Sequence, residues 1–596
     1  MDEKINNLFL YEKFDEIALI SNELILTGLK PKTINQIGVA RFKTKDHNAG
    51  IEAFKIAAQL DDQYASNYLR ALEKARCIGL LCATTVSKLS FQSKIKVCYW
   101  TIERYKDFEE GKLKNLIETS LSEERFYVLQ QLLLDKKLEL ASVLAGYMNL
   151  SSQKNISRVL SIFRAIGRQN FLEKIRLLPG AFNSIAPQLK LVDLALDEKY
   201  HEFVDLFNSD SKIFMRCSVL QDYYLKSLAT LDKKGLFLDV LSSDKINLSV
   251  KAAYQKFVGQ KKRSIETLRL VLENEADETA RWAIIYNLAE QGYYHDSVKK
   301  KTVEKLPMDV SRVILLNAKA RYLYDLKKYE ESFDSIKASN DLHRSLSIEP
   351  SSYEHLISFY KNARSLNRVA PCLNEYGPVF IVGSPRCGST LLAAKLCSNS
   401  TFVSLGESNL VGLGLQKINT GRTYQEVADY ITERLKKNAN GNTPVIKLLD
   451  NIFYVPQILH LFPRAKIIYL SRDRKDTAWS IFENFFTSRW MVYANSIEKI
   501  ERHLNAVEEA SNLWQKMAYQ NYLTINYNDL ATQTTETLNM LSEFLGSAVK
   551  NKKVVGQVTY TGSASQVHSE VKFQTGKWAN LHEFFDKNFK TTWDRL

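Results

Sequence analysis

Proline is scarce, with 11 in 596 residues. A proline ring breaks a helix interior, so its rarity over such a length favours extensive helix. Cysteine is equally thin: Cys77, Cys82, Cys98, Cys217, Cys372, Cys387 and Cys397 form an odd, scattered set without a C-x-x-C pair. That excludes a zinc knuckle and a disulfide framework, and predicts buried apolar thiols in a reducing compartment. There is no uninterrupted apolar run of about 18 residues to span a bilayer. The opening Met1-Asp2-Glu3-Lys4-Ile5-Asn6-Asn7 lacks the basic and apolar regions of a signal peptide. A soluble, cytoplasmic protein without stable membrane insertion is expected. His, Asp and Cys show no metal-ligand cluster, so no metal is expected.

What is present is an ordinary globular composition, 45% hydrophobic and 25% charged, which excludes a disordered or collagen-like chain. The length allows about four domains, or one long array plus an enzyme. Acidic residues are outnumbered, 67 against 81 Lys and Arg, for a net charge of +14. Such a chain attracts polyanions, and charge alone does not choose among them.

Residues 1–370 are rich in Leu, Ala, Lys and Glu, with apolar residues at helical spacing. Ser264, Ser297 and Ser332 recur at a period of about 34 residues, the tetratricopeptide period, where two helices cross closely and demand small side chains. Gly38, Gly50, Phe54 and Ala57 fit the same frame, and Phe14 and Ile17 resemble it one period earlier. Residues 70–250 read as helical but fit poorly. The expectation is a tetratricopeptide-like α-solenoid, degenerate in the middle, with a generic helical bundle as the alternative; such arrays bind partners along a concave surface.

The pattern changes at Asn374-Glu375-Tyr376-Gly377-Pro378. Val379–Val382, Val445-Ile446, Lys466–Leu470 and Tyr522–Ile525 read as buried strands, with helices over 451–461, 476–486 and 497–518. This alternation predicts a three-layer α/β domain with a central parallel sheet over 377–596. Val382-Gly383-Ser384-Pro385-Arg386-Cys387-Gly388-Ser389-Thr390 follows a strand and opens a helix, where a glycine loop wraps a phosphate. Gly383 and Gly388 have Walker A spacing, but Ser389 replaces the lysine and the cation is Arg386. Downstream, Arg472 at a strand end and Ser480 early in the next helix can grip one phosphate from both sides. Lys447 closes a strand at the ligand edge of the sheet.

Over 377–580 this set of motifs resembles the sulfotransferases that use 3′-phosphoadenosine 5′-phosphosulfate (PAPS). Within them it is most like tyrosylprotein sulfotransferases and bacterial enzymes with N-terminal tetratricopeptide repeats. The resemblance makes Ser384, Pro385, Arg386, Cys387, Gly388, Ser389 and Thr390 the 5′-phosphosulfate loop, and Arg472 and Ser480 the 3′-phosphate pair. It adds Tyr527 as a cofactor-holding tyrosine, and Ser563-Ala-Ser-Gln566-Val567 with Lys577-Trp578 as the C-terminal substrate and cofactor segment. Leu449 and His568 depart from the usual proline and arginine.

The implied catalytic roles are a proton-accepting Glu407, a Lys447 on the leaving oxygen assisted by Ser563, and Arg386 on the phosphosulfate. PAPS is the implied cofactor, PAP (3′,5′-adenosine bisphosphate) its product, and no metal is needed. The acceptor is then a hydroxyl of a protein tyrosine or a saccharide, acidic in character to suit the basic chain. A protein partner on the solenoid is a further expectation; nucleic acid is not. A P-loop nucleotide kinase and a non-catalytic tetratricopeptide scaffold stay open as alternatives.

Overall fold

The computed structural model describes all residues except 21–24, 26–27, 76–80, 82–85, 87–88, 90, 109, 122–123, 136, 149, 151, 167–180, 276–277, 300–309, 347–370, 399–400, 420, 487–488, 518–519 and 551–576. Two compact units emerge, Met1–Leu196 and Asp197–Leu596. The change of composition near residue 374 is therefore not where the units part. Described residues of the first unit form helices, turns and loops, and among all described residues no helix is long and apolar enough to cross a membrane.

Three helix pairs cross in one way. In the first unit Gly38, on Pro31–Lys43, meets Gly50 and Phe54 on His47–Leu60. A Cβ on Gly50 would lie 2.5 Å from Phe42 Cδ2, so no larger residue fits without a shift. In the second unit Ser264 Oγ donates to the Ala252 carbonyl at 2.8 Å, and Ser332 Oγ to the Ala320 carbonyl, also at 2.8 Å. Each pair joins positions twelve apart, and the small residue lets the backbones approach. Ser297 does not share this geometry. It is the next residue, Val298, that is fully buried, and Ser297 instead pairs locally with His295 Nδ1.

Five parallel strands follow: β1 (Val379–Gly383), β2 (Phe402–Ser404), β3 (Thr443–Ile446), β4 (Lys466–Ser471) and β5 (Tyr522–Asn526). Their order is β2-β3-β1-β4-β5. Every residue of β1 is buried. Phe380 and Val382 pack into one core with Trp479, Ile497 and Trp514, whereas Val379 and Ile381 pack into another with Leu392 and Leu541. Alternate β1 side chains thus feed two helical layers, which is why β1 reads as a continuous apolar run.

Ala320, Phe333 and Ile336 belong to the first of these cores, so the helices Val310–Asp325 and Tyr329–Leu346 are part of the same packed body as the sheet. They also end the helix Arg474–Phe482, four residues short of the sequence expectation. Asn340 Nδ2 donates to the Phe482 carbonyl at 2.9 Å, and Asn317 Nδ2 to that of Glu483 at 3.2 Å. Carbonyls at a helix end lack intrahelical donors, and these amides supply them.

Ser332→Val tests the crossing: it removes the hydroxyl donor and adds a methyl where the backbones are closest. A loss of about 1–3 kcal/mol is expected from such overpacking, read as a lowered unfolding midpoint of the second unit in denaturant.

Candidate functional site

The carboxyl ends of β1, β3 and β4 converge because β1 lies between the other two. The chain leaves β1 toward β2 and returns past β1 to reach β4, so this is the point where an open α/β sheet forms a crevice. The loop after β1 is tightly wound. Gly383, Arg386 and Gly388 have φ of 151°, 69° and 97°. A Cβ on Gly383 would sit 2.8 Å from the Leu470 carbonyl oxygen, and one on Gly388 would sit 2.3 Å from Tyr527 Cδ2. Both glycines are therefore required by close approach as well as by φ. Cys387 N–H donates to the Ser384 carbonyl at 3.3 Å and closes the turn. Its thiol is buried, which pushes its pKa up and leaves it a packing residue. Gly388 then caps Ser389–Leu396, in whose first turn Ser389 and Thr390 are buried.

Arg386 and Arg472 are drawn to one side of this loop. Arg386 Nε donates to Ser480 Oγ at 3.2 Å, and Arg472 Nη1 donates to the Arg386 carbonyl at 2.8 Å. The Arg472 guanidinium lies 4.9 Å from the centre of the Tyr527 ring. Burial lowers the Arg386 pKa, a shift opposed by Glu483 and Glu290 and reinforced by Arg321 and Arg472. Arg474 is turned away, with its guanidinium on Glu508 and Asn505. Arg386, Arg472, Ser480 and Tyr527 thus form one group, whereas the sequence reading set Arg386 in the 5′ loop and Arg472 with Ser480 as a separate 3′ pair.

Lys447 and Glu407 form a second group. Lys447 N–H donates to the Gly406 carbonyl at 2.7 Å, continuing the pairing past the ends of β2 and β3. The two side chains then stand together, with Lys447 Nζ 2.7 Å from Glu407 Oε1. Lys447 is buried and Glu407 half exposed, 5% against 55% for the side chains. Asp450 lies just beyond, and burial reinforced by the Glu407 charge pushes its carboxyl up to about 6. Spacing alone did not mark Asp450. Its signal was its place three residues past a strand-closing lysine.

Of the C-terminal segment, Trp578 is half buried against the core and lies under Lys475 Nζ at 5.3 Å. Ser563, Gln566, Val567 and His568 lie outside the described residues, as does the Lys577 side chain. Sequence reading also missed a cavity of about 390 Å³ whose lining includes Glu290, Tyr294, Arg321, Tyr324 and Glu483. Glu483 follows Ser480 by one helical turn, a spacing that could have flagged it; Glu290 and Arg321 come from helices outside the phosphate-loop motifs.

Residues 378–551 match the sequence model of the sulfotransferase family. This part of the chain is a sulfotransferase-family domain. An uncharacterized protein of Aquifex aeolicus is 28% identical over 190 residues, covering 28% of this chain and 25% of that protein. The chain thus spans a quarter of the length of that curated relative. Similar solved structures include the sulfotransferase domain of the Synechococcus olefin synthase, at 16% identity and a TM-score of 0.26, covering 36% of this chain and 94% of that one. A sulfotransferase from Mycobacterium avium matches at 10% identity and a TM-score of 0.22, covering 53% and 98% respectively.

The sulfotransferase domain should carry a pH signature from Asp450. Its folded pKa stands above the unfolded value, so between the two the folded state binds more protons. Its contribution to stability is present at low pH and is lost as pH rises from the ordinary carboxylate range through about 6. Asp450→Asn should remove that loss. The difference in melting temperature between variant and wild type should therefore grow from pH 4 to pH 7, and a flat difference would contradict the assignment.

Proposed function

We propose that the chain is a PAPS-dependent O-sulfotransferase, moving a sulfuryl group to a hydroxyl of a protein tyrosine or a saccharide. Its helical region is a tetratricopeptide-like solenoid that recruits the acceptor. The observation that carries this reading is the Arg386–Ser480 and Arg472–Arg386 contact pair around a glycine loop without a Walker lysine. Two guanidiniums, a helix start and an aromatic ring suit a nucleotide with separate 5′ and 3′ anionic groups. The residues present fit such a donor: the loop opens the helix Ser389–Leu396, whose first N–H groups favour an anion, and the guanidiniums of Arg386 and Arg472 stand beside it.

Ser384 through Thr390 would hold the 5′ end, Arg472, Ser480 and Tyr527 the 3′-phosphate end, and Trp578, Lys577 and Ser563 would close the site. When bound, PAPS supplies the activated sulfuryl group. In the transfer, the new bond from the acceptor oxygen to sulfur would be balanced by loss of the bond from sulfur to the bridging oxygen, whose electron pair stays on that oxygen. Lys447 and Arg386 meet the charge growing on the departing oxygen. Glu407 takes the acceptor proton. The pairing of Lys447 with Glu407 keeps the cation and the base together on one side of the loop.

The kinase alternative and the scaffold alternative are separated from this reading by calorimetry. PAP should bind and ATP should not; Arg472→Ala should weaken PAP by about 1.5–3 kcal/mol, the value of a charge-assisted contact. ATP binding without PAP binding would reverse the reading. Labelled PAPS incubated with host-cell fractions then shows whether label enters protein or glycan.

Catalysis separates from binding in two variants. Glu407→Gln should lower turnover by about 10²–10⁴-fold with PAP affinity unchanged. Lys447→Ala should damage both, because its cation meets the donor in the ground state and more strongly as charge develops. A Glu407→Gln protein turning over at the wild-type rate would remove Glu407 from the mechanism.

A further inference from the structure

The turn that carries Glu407 is pinned on both sides. Before it, the Gly406 carbonyl accepts from Lys447 N–H at 2.7 Å. After it, the anchor comes from far outside the stretch that matches the family. Glu198 stands before the helix Tyr200–Ser209 with φ of 55° and is 7% exposed. One carboxylate oxygen accepts from Ser408 Oγ, and the other from Asn409 N–H at 2.6 Å. Asn409 caps the helix Leu410–Ile418, so the Glu198 carboxylate sits at a helix start, where N–H groups lack acceptors and negative charge is favoured.

The backbone around Glu198 is itself fixed. Its carbonyl accepts from Asn438 Nδ2 at 3.1 Å, and His201 Nε2 lies 3.0 Å from the Lys437 carbonyl. Both partners are on Tyr424–Ala439, the helix packed beside Leu410–Ile418. Burial raises the Glu198 pKa, against Ser408, Lys226, Asn409 and Arg434, which lower it. A buried carboxylate is a poor choice for packing alone, since an apolar residue of similar volume avoids the desolvation. What Glu198 gains for that desolvation is two bonds, both to the residues that follow Glu407.

We propose that Glu198 is a positioning residue for Glu407: it fixes the Ser408-Asn409 turn so that the Glu407 carboxylate is held beside Lys447 at the ends of β2 and β3. This rests on the reading of Glu407 as the proton acceptor. It also makes the helical region a contributor to the chemistry as well as to recruitment, because the anchor lies 180 residues before the matched stretch begins.

The test uses the full-length chain, PAPS as the varied substrate, and water as the acceptor, with labelled sulfate release as the readout. Glu198→Ala should lower kcat by about 10–100-fold, the scale of a catalytic group displaced by about 1 Å, with KM for PAPS and PAP affinity unchanged. Glu198→Gln keeps the shape and one acceptor oxygen and should recover part of the rate. The double variant Glu198→Ala with Glu407→Gln should be no slower than Glu407→Gln alone, because the two act as one unit.

Hydrogen exchange supplies an independent reading. The Asn409 amide should exchange faster in Glu198→Ala while the amides of β1 and β4 keep their protection. Unchanged Asn409 exchange, a wild-type kcat, or a full further loss in the double variant would each overturn the positioning role. If Glu407→Gln alone keeps the wild-type rate, it is the proton-acceptor reading that falls, and the exchange experiment still decides whether Glu198 holds the turn.

Discussion

Two like charges held close together set the terms for the rest of the site. Arg386 and Arg472 repel each other, and burial adds to the penalty on Arg386. They stay together because each is tied to the backbone or side chain of the other's element: Arg386 to Ser480 on the helix after β4, and Arg472 to the carbonyl of the β1 loop. The loop in turn needs φ values of the left-handed region at Arg386 and Gly388. Each requirement enforces the next, and the result is two guanidiniums fixed in place beside the loop. Such preorganisation is what makes fixed charge effective in catalysis, since no reorganisation is needed as the reaction proceeds.

The sheet supplies the frame for that arrangement. β1 pairs with β4 in register from Val379 opposite Lys466 to Gly383 opposite Leu470. That register brings Gly383 so close to the Leu470 carbonyl that the loop must begin with glycine. On the other side β1 pairs with β3, whose extension past Ile446 sets Lys447 against the Gly406 turn. One central strand thus fixes the distance between the Arg386–Arg472 group and the Glu407–Lys447 pair.

The strands were legible because β1, β3, β4 and β5 are short apolar or β-branched runs between helical segments. The edge strand Phe402–Ser404 was too short to show a pattern. Arg386, Lys447, Arg472 and Ser480 were legible for a related reason: each sits at a strand end, in the loop that follows, or in the helix after it, where chain order predicts spatial order. Glu198, Glu290 and Arg321 were not: Glu290 and Arg321 come from helices whose periodicity reports only which face is buried, and Glu198 from a turn between two helices. Ser264 and Ser332 could be read as crossing points from their spacing. Ser297 could not, since the helix there, Asp296–Lys299, turns Val298 inward.

The helical region also completes the α/β layer physically. The helix bearing Ser480 ends at carbonyls that take their donors from Asn317 and Asn340, and Arg321 Nη2 holds Asn484 at 2.8 Å just beyond. Phe333 packs edge-on to Phe585 at 5.0 Å, and Phe585 in turn meets Trp479, the neighbour of Ser480 in sequence. Without these helices, buried apolar surface and helix-end carbonyls would both face water, next to the residue that holds Arg386. Water satisfies such carbonyls, but it does not fix the helix end in one place. The precision of the Arg386–Ser480 contact therefore depends on side chains that belong, by sequence, to the repeat-like region.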